Sequence, residues 1–159
     1  MTRYEVITAL SAGGYYRGWW RMDDDLYDPM SKAFVAQAFK DWVASLPPKL
    51  RTTRINSAGE TIDIPVWILE VYDCDNQNRS FCSFIADAFA LDAVTKGLPR
   101  GNAASGKFNF LLGGKPDGGH ARMWFIDYEG VAHSFDAGLG DFTTESQVEQ
   151  DAILGGETI

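Results

Sequence analysis

Apolar residues recur at steps of three and four in two stretches of this chain, and short extended runs separate and follow them. After Ser31, residues Phe34, Val35, Ala38, Phe39, Trp42 and Val43 keep the helical rhythm. That predicts an amphipathic helix with Ser31 as N-cap and Pro47 and Pro48 as its stop. Phe81, Phe84, Ile85, Ala88, Phe89 and Ala93 repeat the rhythm as far as Lys96, and Gly97 is the expected C-terminal stop. Between these helices, runs over 51–55 and 60–64 flank Asn56-Ser57-Ala58-Gly59, which reads as a hairpin. The apolar stretch 65–72 reads as a strand or one helical turn. Strands follow over 107–112, 123–128 and 131–136, with turns over 113–119 and at Glu129-Gly130. Residues 1–30 are aromatic and irregular, broken by Gly13, Gly14 and Gly18, and 146–154 is expected to be helical.

A helix-rich first half followed by an antiparallel meander predicts an α+β fold with its helices on one side of the sheet. At 159 residues the chain fits one domain over 1–159, with 1–30 as an aromatic N-terminal segment and 140–159 as a C-terminal tail. Forty-five per cent of the residues are hydrophobic, enough for a packed core. No apolar run reaches the roughly 18 residues of a membrane helix. The start carries Arg3 and Glu5 without a long apolar stretch behind them, so a cytoplasmic protein is expected. The net charge of −8 argues against non-specific nucleic-acid binding. The run Asp23-Asp24-Asp25 reads as a solvated turn rather than a metal loop, and no metal or cofactor is expected.

The candidate chemistry lies in three residues. Cys74 stands just ahead of the central helix, where the partial positive charge and free N–H groups favour a thiolate and can hold an oxyanion. His120 follows Gly118-Gly119 at the mouth of a strand and is the candidate base. Asp136, sixteen residues on, is the candidate orienting acid. A two-residue turn at Glu129-Gly130 sets Asp136 opposite Met123, three positions from His120, so direct contact requires a bulge or a shifted register. Cys82 is the competing thiol and reads as core; His133 is the competing imidazole and reads as structural or exposed. On a helix the two cysteines lie roughly 12 Å apart, beyond the about 7 Å of a disulfide.

At these positions the chain resembles a known group. Val71-Tyr72-Asp73-Cys74-Asp75-Asn76 is similar to the Asp-Cys-Asp-Asp motif of papain-like cysteine peptidases found in phage proteins and in the C-terminal domain of fungal agglutinins, and Gly118-Gly119-His120-Ala121 resembles their Gly-Gly-His-Ala. Bacterial transglutaminase-like cysteine proteinases are the next closest group. The resemblance implies a papain-like or transglutaminase-like fold with a Cys-bearing helix packed on an antiparallel sheet. It further implies a Cys74-His120-Asp136 hydrolase acting on a peptide or isopeptide bond of a peptide or protein substrate, with Asp75, Asn76 and Gly119 at the substrate. A phage origin would place it in the host cytoplasm. Asn76 and Arg122 depart from the group's pattern, as does Asp136 where the group carries Glu. The alternative is a non-catalytic binding or anti-defence protein on the same fold.

Overall fold

The computed structural model describes residues 1–22, 24–68, 72–97, 101–111, 119–145 and 147–158. Asp23, Val71, Leu112, most of the turn expected over 113–119 (with Gly118) and Ser146 lie outside them.

Residues 1–30 are not irregular throughout. They open with helix α1 (Arg3–Ala12), started by a capping box. The Thr2 hydroxyl accepts the Glu5 N–H at 3.3 Å, and the Glu5 carboxylate accepts the Thr2 N–H at 2.6 Å. Val6, Ala9 and Leu10, at steps of three and four, are its buried face. Two short strands follow, β1 (Trp19–Arg21) and β2 (Tyr27–Asp28). Helix α2 (Lys32–Ser45) then begins as expected, with the Ser31 hydroxyl accepting the Phe34 N–H at 3.0 Å. The hairpin is present as β3 (Arg51–Ile55) and β4 (Thr61–Pro65).

The central helix α3 spans Cys74–Lys96, seven residues longer at its front than the apolar rhythm indicates. Gly97 closes it in the left-handed conformation at φ 64°. Strands β5 (Asn102–Ala103), β6 (Ser105–Leu111), β7 (Gly119–Ile126), β8 (Ala132–Asp136) and β9 (Asp141–Thr143) follow, then a short α4 (Gln147–Asp151) and a last strand, β10 (Ile153–Thr158). A mostly antiparallel six-stranded sheet runs β1-β10-β6-β7-β8-β9, with only β1 and β10 parallel. The final strand was expected as helix and tail; it lies inside the sheet instead.

Side-chain alternation divides the sheet's contacts between two cores. Met123, Phe125 and Phe135 pack with Phe39, Trp42, Phe81 and Ile85 of α2 and α3. Trp124, Ile126 and Ala132 pack with Val6 and Leu10 of α1 and with Tyr15, Tyr27 and Phe108. Helices therefore cover both faces, not one, because α1 supplies the second layer. The fold is α+β, and no helix among the described residues is long and apolar enough to cross a membrane.

Candidate functional site

Cys74 is the first residue of α3 rather than a residue ahead of it. Asp73 is the N-cap, and its carboxylate accepts the Asn76 N–H at 3.3 Å. Two fully buried amides behind it fix the front of the helix. Asn78 donates to the carbonyls of Cys74 at 2.8 Å and of Ala121 at 2.9 Å, and accepts the Ala137 N–H at 3.3 Å. Gln77 donates to Val66 and Tyr72, each at 3.0 Å, and so fastens the incoming chain. One side chain, Asn78, thus ties the thiol-bearing turn to β7 and to the residue after β8. The Cys74 thiol is half-buried and donates to the Gly119 carbonyl at 3.9 Å.

His120 and Asp136 meet without a bulge. Asp127 accepts the N–H groups of Glu129 and Val131, each at 2.9 Å, and closes a longer turn than Glu129-Gly130 alone. Met123 then pairs with Phe135, so Asp136 falls level with Arg122 rather than Met123. His120 is two residues from Arg122 and points to the same face. The ring Nε2 lies 2.8 Å from Asp136 Oδ2. Cys74, whose thiol meets the carbonyl of the residue before His120, is near enough to help raise the ring's affinity for protons. The structure therefore brings the thiol, the imidazole and the carboxylate into one chain of contacts.

Burial opposes the charge on His120, but hydrogen bonds to Asp136 and Cys74, and their charges, outweigh it and lift the ring to about 9. Burial likewise opposes the Asp136 carboxylate; the bond to His120, the charges of His120 and Arg122 and the Gly138 N–H prevail and hold it below its ordinary value. The ring is consequently an imidazolium at neutral pH, facing the Asp136 carboxylate on one side and the Cys74 sulfur on the other.

The other expected site residues have different surroundings. Gly119 contributes its carbonyl to Cys74. Asp75 pairs with Lys107, which is buried on β6 and also lies 3.9 Å from Glu157. Asn76 is exposed, with its backbone N–H bound by Asp73. Cys82 is fully buried, donates to the Gly106 carbonyl at 3.4 Å, and has its thiol pushed up to about 12 by burial. Both cysteines are free. His133 pairs with Asp127 at 2.6 Å and its ring packs on Phe125, a structural role. Arg122, which sequence reasoning treated only as a departure from a motif, contacts Asp136 at 3.4 Å, Glu145 at 2.9 Å and Glu149 at 3.4 Å. Its position two residues from His120 was the available signal. No cluster of three or more metal-ligating side chains occurs among the described residues.

Apart from this site, a cleft of about 780 Å³ opens between α2, the β3–β4 hairpin and the β8–β9 corner. Phe39, Val43 and Phe142 line it with Asn56, Ser57 and Asp63.

No family model and no curated protein matches the chain. Two solved structures of a Polyporus squamosus lectin do. One, described as a PSL1a-E64 complex, has 16% identity and a TM-score of 0.69, covering 99% of this chain and 50% of that one. The other, described as the lectin bound to the human-type influenza-binding epitope Neu5Aca2-6Galb1-4GlcNAc, has 16% identity and a TM-score of 0.68, covering 99% and 49%. The chain thus spans about half the length of the lectin it matches. The likeness is one of fold. It corrects the expected family: the matching structures carry the name of a lectin, not of a papain-like or transglutaminase-like peptidase. The assignment as a cysteine hydrolase with a peptide substrate is withdrawn on that finding.

Proposed function

We propose that the chain is a ligand-binding protein whose grip includes an activated thiol, with Cys74 as the nucleophile, His120 as its proton partner and Asp136 as the orienting acid. One observation carries this reading: a half-exposed thiol at a helix N-terminus meets the carbonyl of Gly119, the residue before an imidazole whose Nε2 is held 2.8 Å from a buried carboxylate. A structural cysteine gains nothing from such a partner, and Cys82, fully buried in the core, donates to the Gly106 carbonyl instead. In capture, the Cys74 sulfur bonds to a carbonyl carbon of the ligand, the C=O π pair moves onto the oxygen, and the proton held by His120 passes to that oxygen. Iodoacetamide at pH 7 should label Cys74 at least about tenfold faster than Cys82, and His120→Ala should slow Cys74 to the rate of an ordinary thiol. Equal, slow labelling of both cysteines would overturn the reading. So would steady release of amine from an amide offered to the protein, since that is turnover rather than binding.

A second reading, glycan binding, is favoured by the cleft over α2. Its amide, hydroxyl and carboxylate groups at Asn56, Ser57 and Asp63 suit sugar hydroxyls, and the part-exposed Phe142 ring suits a sugar face. The trisaccharide named for the lectin is the natural probe. Titrated to millimolar concentration, it should shift amide resonances of Asn56, Asp63 and Phe142 together. No shift, or shifts only around Cys74, excludes the cleft as a sugar site.

A further inference from the structure

We propose that Arg122 is a positioning residue of the Cys74 site: it shares the Asp136 oxygen that holds His120, and thereby limits how firmly the imidazole is held. The proposal rests on the reading of Cys74, His120 and Asp136 as one functional unit. Asp136 Oδ2 accepts from His120 at 2.8 Å and from Arg122 Nε at 3.4 Å, while Oδ1 accepts the N–H groups of Gly138 at 2.9 Å and Leu139 at 3.2 Å. The loop N–H groups aim the carboxylate by themselves. Arg122 therefore acts through its charge and its share of one oxygen.

The guanidinium is held from behind. Nη1 donates to Glu145 at 2.9 Å and Nη2 to Glu149 at 3.4 Å, and the Glu145 side chain is fully buried. Tyr15, from the segment after α1, lies against the same carboxylate; burial first, then the Glu145 charge, push its hydroxyl well above the ordinary value. The charged and titratable groups in the chain of contacts from His120 are then Cys74 from α3, Asp136 from β8, Arg122 from β7, Glu145 from the β9–α4 connection and Glu149 from α4 on Arg122, and Tyr15 on Glu145. A surface arginine needs no such anchoring. A cation that must stay beside a carboxylate already claimed by an imidazolium does, because the two positive groups repel.

Both consequences of removing the cation have one sign. The imidazolium loses a like charge, and Asp136 gives its Oδ2 to His120 alone. The ring therefore retains its proton to higher pH. The chain has only two histidines, so NMR titration of the ring protons is direct, with His133 as internal control. In Arg122→Gln, His120 should titrate about one pH unit higher than in the parent while His133 does not move. Arg122→Lys should restore the parent value. The double variant Arg122→Gln/Glu145→Gln, which leaves no buried carboxylate unpaired at that position, should show the same upward move. In the unsubstituted protein, the Arg122 Nε–H resonance should shift through the same midpoint as His120, and this requires no variant to fold. A His120 midpoint unchanged in Arg122→Gln, or an Arg122 resonance blind to His120 titration, overturns the proposal. Fast, His120-dependent labelling of Cys74 with an unmoved midpoint would sink the role of Arg122 alone. A moved midpoint with a sluggish Cys74 would sink the reading of the thiol and leave Arg122 in place.

Discussion

Asp136 accepts from four donors, His120, Arg122 and the N–H groups of Gly138 and Leu139, with almost no exposure to water. A carboxylate so placed is stable only because its hydrogen-bonding capacity is filled. Its value is depressed, so its contribution to stability is present above the ordinary carboxylate value and is lost as pH falls through the folded one. His120 behaves in the opposite sense. Its folded value of about 9 lies above the ordinary 6.5, so the stability it contributes is complete below about 6.5 and is lost as pH rises through about 9. Urea denaturation of the parent should therefore show stability falling between pH 7 and pH 9, and His120→Gln should remove most of that slope. A parent and a variant with the same slope would mean that the ring is not held as an imidazolium.

At the scale of elements, the legible parts were those with a strong local signal. Helix α2 and the rear of α3 carry long apolar rhythms with a serine cap and a glycine stop, and the β3–β4 hairpin carries its Asn-Ser-Ala-Gly turn. Helix α1 was missed because its apolar face is short and three glycines follow, although Thr2 and Glu5 spell a capping box. The first turn of α3 was legible as a place for chemistry but not as helix. Asp-Cys-Asp-Asn is polar, and it is held by Asp73, Gln77 and Asn78 through contacts with distant chain that no periodicity reveals. The site's three residues are legible from their types and spacing, and their contact requires a bulge or a shifted register. The structure supplies the shift, one residue, set by the Asp127 side chain closing a longer turn. Such a shift moves every partner on the strand. It put Arg122 level with Asp136 and left His120 two residues along the same face.

The molecule as a whole depends on a strand that its own sequence disfavours. β10 contains Gly155 and Gly156, poor strand formers, and periodicity alone reads its start as the end of a helix. It nevertheless pairs on both sides, parallel to β1 and antiparallel to β6, and so joins the first thirty residues to the meander that carries His120. The glycines are what allow this. A Cβ on Gly155 would stand 1.7 Å from the Trp19 carbonyl oxygen, and its φ of 151° is one that residues with side chains rarely adopt. The obstruction is backbone, which cannot swing aside as a side chain would. Gly59, in the hairpin turn, supplies the comparison: its φ is 81°, but a Cβ there meets nothing within 4 Å. Gly59→Ala should thus cost about 1 kcal/mol, the backbone penalty alone. Gly155→Ala adds a collision to that penalty and should cost about 3 kcal/mol or more, with β1 detached from the sheet. Urea denaturation gives the two costs, and the emission of Trp19 and Trp20, two of the three residues of β1, reports the detachment. Equal costs for the two variants would mean that β1 is not seated on β10 as described, and that the N-terminal segment reaches the sheet by some other contact.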